Sequence, residues 1–430
     1  MSRTSTLGPK KRVFLFLQGP SSYLFQHIAD RLEEQGAECW RVNLNPGDWL
    51  FWRRGGAINY RRSSAGWPLF VRRLIREKHV TDVIALGEER PYHRIAFDEA
   101  RRLGARPYVV EMGYLRPDWV TLEREGMSSN SRFPSDPAQI VSAAEQLPEP
   151  DWGRRYSQTF FAEATFDLAY NLPNVFLWFL YPGYRRHSLF HPLAEYAGWL
   201  RRLTRRGFKR EKADPVTVWL EKTREPFFIY PLQLETDYQL RAHSPFASQK
   251  DAIGCVLRSF AAHSPPISRL LLKIHPLDNG LIAWESLAIK LASQLGLGDR
   301  IHVIDGGDLD RLLKQACGVV TVNSTAALPA LKVGTPVKVL GQAVYDVAGL
   351  TDDKPLDAFW KAPEPPVPEL ARAFFRLLAG AIQVRGNFYS KTGMRAAATA
   401  IAERLLANTV NEPGGYVDPA PRARPQKAVE

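Results

Sequence analysis

The chain has 430 residues, 45% of them hydrophobic, with 57 Lys+Arg against 45 Asp+Glu for a net charge of +12. That length is too great for one compact core and predicts two domains, while the charge suits an anionic partner such as a nucleotide, an anionic lipid surface or nucleic acid. Cys39, Cys255 and Cys317 form no CxxC pair, which points away from a disulfide scaffold or a zinc cluster, and no stretch reaches the roughly 18–20 apolar residues needed to span a bilayer.

The basic opening MSRTSTLGPKKR lacks the apolar stretch of a signal peptide, so a cytoplasmic protein is expected. Arg12–Leu17 reads as a strand and Gln18–Ser22, QGPSS, as a loop. Gly19 there allows close backbone approach to a ligand, and Ser21 or Ser22 could bond one or cap the next helix. Tyr23–Gln35 is an amphipathic helix with Leu24, Ile28 and Leu32 on one face. Glu38–Leu44, Val80–Leu86 and Pro107–Glu111 are further strands, with a helix around Tyr92–Leu103, and the alternation predicts a Rossmann-like parallel sheet. The last of these strands runs into EMGYLRP, which places Glu111 at a strand end where it can face a ligand; Arg116 could pair with it or bind an acid. VTLEREGMSSNS, with Thr121, Glu123, Asn130 and Ser131, reads as a long polar loop.

From about Pro134 to Ala213 the pattern is mainly helical. The aromatic segment Leu172–Tyr184, LPNVFLWFLYPGY, is followed by Arg185 and Arg186, and suits either an anionic headgroup region or a buried core helix. The core reading is favoured for it, and the basic run Arg201–Lys212 is the better membrane candidate. A second α/β run starts near Pro226. Its first strand, Phe227–Leu232, enters a polar loop with Gln233, Glu235, Asp237, Arg241 and His243, where a carboxylate could be a nucleophile, a general base or a loop cap. Leu270–Pro276 is a buried strand ending in Lys273 and His275. VVTVNSTAALPALKVGTPVKVLG then reads as a strand, a capping turn at Asn323–Thr325, a helix over Ala326–Val333 and a strand over Val337–Leu340. A helix N-terminus suits an anion, and C-terminal strand ends form the crevice of an open α/β sheet. Lys273, His275, Ser324 and Thr325 are therefore expected at one edge. No compact ligand set such as HExxH occurs, so no metal is expected.

The whole pattern predicts an α/β protein of two Rossmann-like domains facing a cleft, the GT-B plan, which glycosyltransferases share with some epimerases and phosphorylases. The expected divisions are 1–215, an acceptor-side domain with a helical insertion; 216–408, a nucleotide-sugar domain; and 409–430, a Pro-, Gly- and charge-rich tail expected to be disordered.

Five motifs in order, FLFLQGPSSYLFQHIADRL with VNLNPGDWLFW, EMGYLRPDWVTLEREG, YPLQLETDYQLRAHSPF, LLLKIHPLDNG and VNSTAALPALKVGTPVKVLGQAVYDVAGLT, carry a resemblance from about Val13 to Leu406. The chain resembles the KpsS/LipB-type capsule polysaccharide proteins, retaining β-Kdo glycosyltransferases that build the lipid linker of bacterial group 2 capsules. The resemblance implies CMP-Kdo as donor substrate, no cofactor, and a (lyso)phosphatidylglycerol-type lipid acceptor at the anionic inner-membrane surface. A cytoplasmic protein peripheral to that membrane would add a single Kdo, the first. It implies that His275 binds the CMP phosphate or cytidine, that Lys273 neutralises phosphate or the Kdo carboxylate, and that Ser324 and Thr325, with Asn323 and Gln233, complete the donor site. Asp237 matches the nucleophile position and Glu111 the acidic residue facing the acceptor, with Ser21, Ser22, Arg116 and Arg241 on the acceptor side. A second Kdo transferase and the capsule export machinery are implied partners. Nucleic acid is not, because the aromatics sit in apolar runs. A non-catalytic nucleotide- or glycolipid-binding export component, and a GT-B transferase using another nucleotide sugar, remain open alternatives.

Overall fold

The computed structural model describes residues 11–204, 215–220 and 222–427. Among them the strands run, in chain order, β1 (Val13–Phe16), β2 (Glu38–Asn43), β3 (Ala57–Asn59), β4 (Asp82–Leu86), β5 (Arg106–Met112), β6 (Trp119–Arg124), β7 (Phe227–Pro231), β8 (Arg269–Lys273), β9 (Ile301–Ile304), β10 (Gly318–Thr321), β11 (Val337–Val339) and β12 (Gln383–Arg385). The chain forms two compact units, each with its own sheet, and the architecture is α/β as expected.

The first unit combines the segment ending at Met127 with Pro150–His187 and Ala379–Glu412. Its sheet has the order β12-β6-β5-β4-β1-β2-β3, parallel from β3 to β5. β1 and β4, VFLF and DVIAL, are buried along their whole length, as central strands covered on both faces must be. Helices α1 (Leu24–Glu34), α2 (Pro46–Leu50), α3 (Trp67–Glu77) and α4 (Pro91–Arg102) form the connections, and α1 buries Leu24, Ile28 and Leu32 against the sheet as its periodicity predicts.

Two expectations fail here. VTLER is not loop but part of β6, antiparallel to β5. Val120 and Leu122 enter the core, and the polar residues alternating with them, Thr121 and Glu123, are buried with partners. Gln383 donates to Thr121 Oγ1 at 3.0 Å, and the Tyr114 hydroxyl donates to Glu123 at 3.0 Å. The domain expected over 216–408 also loses its last segment. β12 pairs with β6, and the helix Lys391–Ala407 lies against α1, burying Ala397, Ala398, Ile401 and Leu405 in the first core.

The second unit combines Ser128–Glu149, the segment from Ser188 to Leu378 and the one starting at Pro413. Its five-stranded sheet is wholly parallel with order β11-β10-β7-β8-β9. Helix α5 (Pro137–Glu145) belongs to this unit, α6 (Phe160–Phe176) to the first, and α7 (Pro192–Thr204) to the second. The tail up to Lys427 is ordered on this unit instead of disordered. Arg422 is buried and donates to the carbonyls of Phe133 at 2.7 Å, Pro134 at 3.2 Å and Val344 at 2.7 Å, so backbone acceptors satisfy a charge that composition alone assigns to solvent.

Two membrane expectations change as well. Phe176 and Trp178–Leu180 are exposed and do not form a buried core helix. Arg201 and Arg202, at the head of the basic run, are tied to the second unit through Gly280, His275, Asp278 and Asp305. Residues 205–212 of that run lie outside the described residues. No helix among the described residues is long and apolar enough to cross a membrane.

Candidate functional site

In the second sheet the chain order reverses direction at β7. β8 and β9 lie on one side of it, β10 and β11 on the other. Such a switch point opens a crevice at the C-terminal strand ends, because the loops leaving β7 and β10 diverge to opposite faces. The residues following β7 are Gln233 and Asp237, those following β10 are Asn323, Ser324 and Thr325, and those at the end of β8 are Lys273 and His275. All seven thus lie at or after the C-terminal ends of adjoining strands, and among them Gln233 and Asn323 are in direct hydrogen-bond contact.

Gln233 and Asn323 are buried and hold each other across the switch point. Gln233 Nε2 donates to Asn323 Oδ1 at 2.8 Å and the Asn323 backbone N–H donates to Gln233 Oε1 at 3.2 Å. Asn323 Nδ2 also donates to the Gln239 carbonyl at 2.9 Å, and Gln249 Oε1 accepts from the Gln233 N–H at 3.3 Å. These amides fix loop geometry. Ser324 Oγ accepts from the Ala326 N–H at 3.2 Å, while the Tyr345 hydroxyl donates to the Ser324 carbonyl at 2.6 Å. The helix that follows is Ala327–Lys332, six residues long and with no side-chain cap at its own Ncap position, shorter than expected.

Asp237 is half-buried and caps the helix Tyr238–Ala242, its Oδ1 accepting from the Gln239 N–H at 2.8 Å. That bond orients the carboxylate. Arg241, on the same helix, stacks over the Tyr238 ring at 4.6 Å, so it accompanies the donor-side residues and not the other three acceptor-side residues, which lie in the first unit. Lys273 is almost fully buried and donates to the Gly306 carbonyl. Burial pulls its amine below the usual lysine range, opposed by the charges of Asp305 and Asp308. His275 Nδ1 accepts from the Leu277 N–H at 3.0 Å, which leaves the ring's proton on Nε2, and its carbonyl accepts from Arg202 at 3.3 Å. Arg202, which also pairs with Asp305, is a cation that sequence reasoning assigned to a membrane surface instead of this loop cluster.

In the first unit Glu111 ends β5 half-buried, with Oε1 accepting from the Met112 N–H at 2.9 Å. Gly87 lies so close that a Cβ there would stand 3.2 Å from Glu111 Oε2, and its φ of 64° favours glycine as well. Arg116 is exposed and donates to the Gly113 carbonyl at 3.2 Å. Ser22 is buried and its hydroxyl accepts from the Leu24 N–H at 3.4 Å, the bond of a helix entry. Ser21 hydrogen-bonds the Tyr389 hydroxyl, which burial and the charges of Glu163, Asp167 and Glu111 push above the usual tyrosine range. Glu163 is itself raised, by burial first and by Asp167, against the lowering effects of Gln158 and Arg116. Sequence reasoning missed Glu163, Asp167 and Tyr389. The available signal was the i, i+4 carboxylate pair, the only charged residues of that helix.

The capsule polysaccharide biosynthesis protein family model matches residues 81–389. The chain is 31% identical over 387 residues to the capsule polysaccharide export protein KpsS of Escherichia coli, covering 90% of this chain and 98% of that protein. It is 32% identical over 391 residues to the capsule polysaccharide modification protein LipB of Neisseria meningitidis serogroup A, covering 88% and 91%. Among solved structures it is similar to KpsC of Thermosulfurimonas dismutans, described as a beta Kdo 2,7 transferase, at 14% identity and a TM-score of 0.44 over 93% of this chain and 99% of that one.

Proposed function

Since the chain belongs to the capsule polysaccharide biosynthesis protein family, we propose that it is a retaining β-Kdo transferase. It would take Kdo from CMP-Kdo and add one residue, the first of the linker, to a (lyso)phosphatidylglycerol-type lipid. The observation that supports this reading is that Asp237, Lys273, His275 and Ser324 all lie at or after the C-terminal ends of the neighbouring strands β7, β8 and β10 of the second sheet.

The chemistry assigned there follows from residue types. Lys273 would neutralise the phosphate of the leaving CMP or the Kdo carboxylate, and an arriving anion would restore the proton affinity that burial removes. The Nε2–H of His275 would donate to the same phosphate, with Ser324 and Thr325 beside it. Retention needs two inversions or a front-face path. In the double displacement, the Asp237 carboxylate displaces CMP from the anomeric carbon to give a glycosyl ester. An acceptor hydroxyl then displaces the carboxylate as a base takes its proton. Glu111 is the base assigned on the acceptor side, with Ser21, Ser22 and Arg116 in the same unit, and Glu163 has the raised proton affinity that suits such a role. No metal or cofactor is assigned. The acceptor places the protein at the inner-membrane surface, alongside a second Kdo transferase and the export machinery.

The capping bond of Asp237 favours a second reading, a non-catalytic CMP- or glycolipid-binding export component. Incubation with CMP-Kdo, generated in situ, and a fluorescent lysophosphatidylglycerol separates the two. One added Kdo by mass spectrometry, lost in Asp237→Ala, supports the transferase. Thermal stabilisation by CMP without product supports the binding component, and stabilisation by a uridine nucleotide in place of CMP would move the donor assignment.

A further inference from the structure

Helix α6 turns polar side chains inward beside Phe166, whose ring packs on Tyr23, Phe51 and Tyr389, and leaves apolar ones outward. Glu163, Asp167, Tyr170 and Asn174, at spacings of i, i+4, i+7 and i+11, share the inward face. Tyr170 bonds Gln18 at 2.6 Å, and Asn174 accepts from the Gly47 N–H at 2.7 Å. The opposite face is apolar and open to solvent: Phe161 is 80% exposed, Leu168 40% and Phe176 64%. Thr165 shares that face but satisfies its hydroxyl on the Phe161 carbonyl at 2.8 Å. The 3-10 turn that follows continues the surface with Trp178 at 64%, Phe179 at 57% and Leu180 at 39% exposed.

The backbone beneath this surface is closely packed. A Cβ on Gly47 would stand 2.5 Å from the Tyr170 carbonyl oxygen, and one on Gly183 would overlap the Arg62 carbonyl oxygen, so α6 and its turn sit in close backbone contact with α2 and the segment after β3. Between α2 and the end of α6 lies an open cavity of about 450 Å³ with apolar walls from Trp49, Leu50, Leu177 and Leu180, and with Arg61 also lining it. Exposed Arg154 and Arg155 precede the apolar stretch and exposed Arg185 follows it.

We propose that the outward face of α6 and the turn Trp178–Leu180 form a monotopic docking surface for an anionic lipid bilayer. An exposed apolar face with no charge of its own is covered in the working state of a soluble fold. Interfacial aromatics with exposed Arg61 lining the adjoining cavity, and exposed arginines flanking the stretch in sequence, match the acyl–headgroup boundary of a negatively charged leaflet. A protein partner would leave the flanking arginines without a role. The cavity beside Trp49 offers room for an acyl chain drawn partly out of that leaflet. The proposal deepens the lipid-acceptor reading by naming the surface that meets the membrane, and its test involves no sugar transfer, so the two can fail separately.

The test is sedimentation of the full chain with vesicles of phosphatidylcholine containing about 30% phosphatidylglycerol, against pure phosphatidylcholine. The wild type should bind the anionic vesicles. Trp178→Ser with Phe179→Ser should lose about tenfold or more in partitioning. Arg155→Gln with Arg185→Gln should lose a similar factor and most of the salt sensitivity. Circular dichroism melting checks that the variants fold. Should the aromatic variant not fold, quenching of wild-type tryptophan fluorescence by brominated lipid replaces it. No binding by the wild type, equal binding by the folded variants, no quenching, or a mass measurement showing this face buried between two copies would each overturn the proposal.

Discussion

Gln233 and Asn323 lie 90 residues apart in sequence and close on each other through two hydrogen bonds, at 2.8 and 3.2 Å, across the switch point of the second sheet. Both are buried, so neither can fall back on water when the other is removed. Asn323→Ala would strand the Gln233 amide and the Gln239 carbonyl, at a cost of about 1–3 kcal/mol. Urea unfolding should show this loss. The double variant with Gln233→Ala should fall short of the sum of the single losses, by a coupling of about 0.5–3 kcal/mol. Additive losses would mean that the two amides act independently.

Asp237 has two separable duties, a helix cap that is present in the structure and a nucleophile that is proposed. Asn caps about as well as Asp, so Asp237→Asn should keep stability within about 0.5 kcal/mol of wild type. Asp237→Ala should lose about 1 kcal/mol. Neither variant supplies a carboxylate, so Kdo transfer should drop by about 1,000-fold or more in both. Transfer retained in the Asn variant would leave Asp237 a cap alone.

The central strands of both sheets were legible because VFLF, DVIAL, FFIYP, RLLLK and GVVT are short, largely apolar runs that are buried almost throughout. The placement of Lys273, His275, Asn323 and Ser324 at strand ends followed from that. β6 was hidden by its own buried polar residues, since Thr121 and Glu123 imitate a loop until Gln383 and Tyr114 are seen to satisfy them. β12 has three residues, too few for a periodic signal, and its pairing with β6 spans more than 250 positions. The aromatic segment Leu172–Tyr184, for which the sequence favours a buried core helix, is exposed at Phe176 and Trp178–Leu180 for a related reason. Composition records that Phe176 and Trp178 are apolar, while which face of a helix is buried depends on what Tyr170 and Asn174 find to bond.

Lys273 offers a contrast between folding and binding. Its burial lowers the amine's proton affinity, so the charge weakens the fold more than it supports it. Lys273→Met keeps the length of the side chain and removes the charge. Thermal stability without ligand should be unchanged or slightly higher. A lost charge-assisted bond to phosphate or carboxylate is worth about 1.5–3 kcal/mol, so donor binding should weaken by about 10- to 100-fold. A calorimetric titration with CMP measures the phosphate share. Equal CMP affinity in wild type and variant, together with a raised KM for CMP-Kdo, would assign Lys273 to the sugar carboxylate instead.

His93 carries the clearest pH dependence. It is fully buried in the first turn of α4, and although its Nδ1–H donates to the Gly87 carbonyl at 2.7 Å, a bond that favours the charged ring, burial outweighs that bond and holds it neutral. Burial, with a smaller contribution from Arg90, lowers its pKa to about 3, far below the unfolded value near 6.5. A base whose pKa is depressed by folding contributes stability that is complete above the unfolded pKa. That contribution declines as pH falls toward the folded one, because the unfolded chain takes up a proton that the native state refuses. The expected slope is about 1.4 kcal/mol per pH unit for one proton between pH 6 and 4. His93→Gln, which keeps an amide donor for Gly87 and cannot titrate, should unfold in urea at a lower midpoint at pH 7. Across pH 6 to 4 it should lose about one proton's worth less stability than wild type. Parallel pH profiles for the two proteins would show that His93 takes up its proton equally in both states and that the acid sensitivity lies elsewhere.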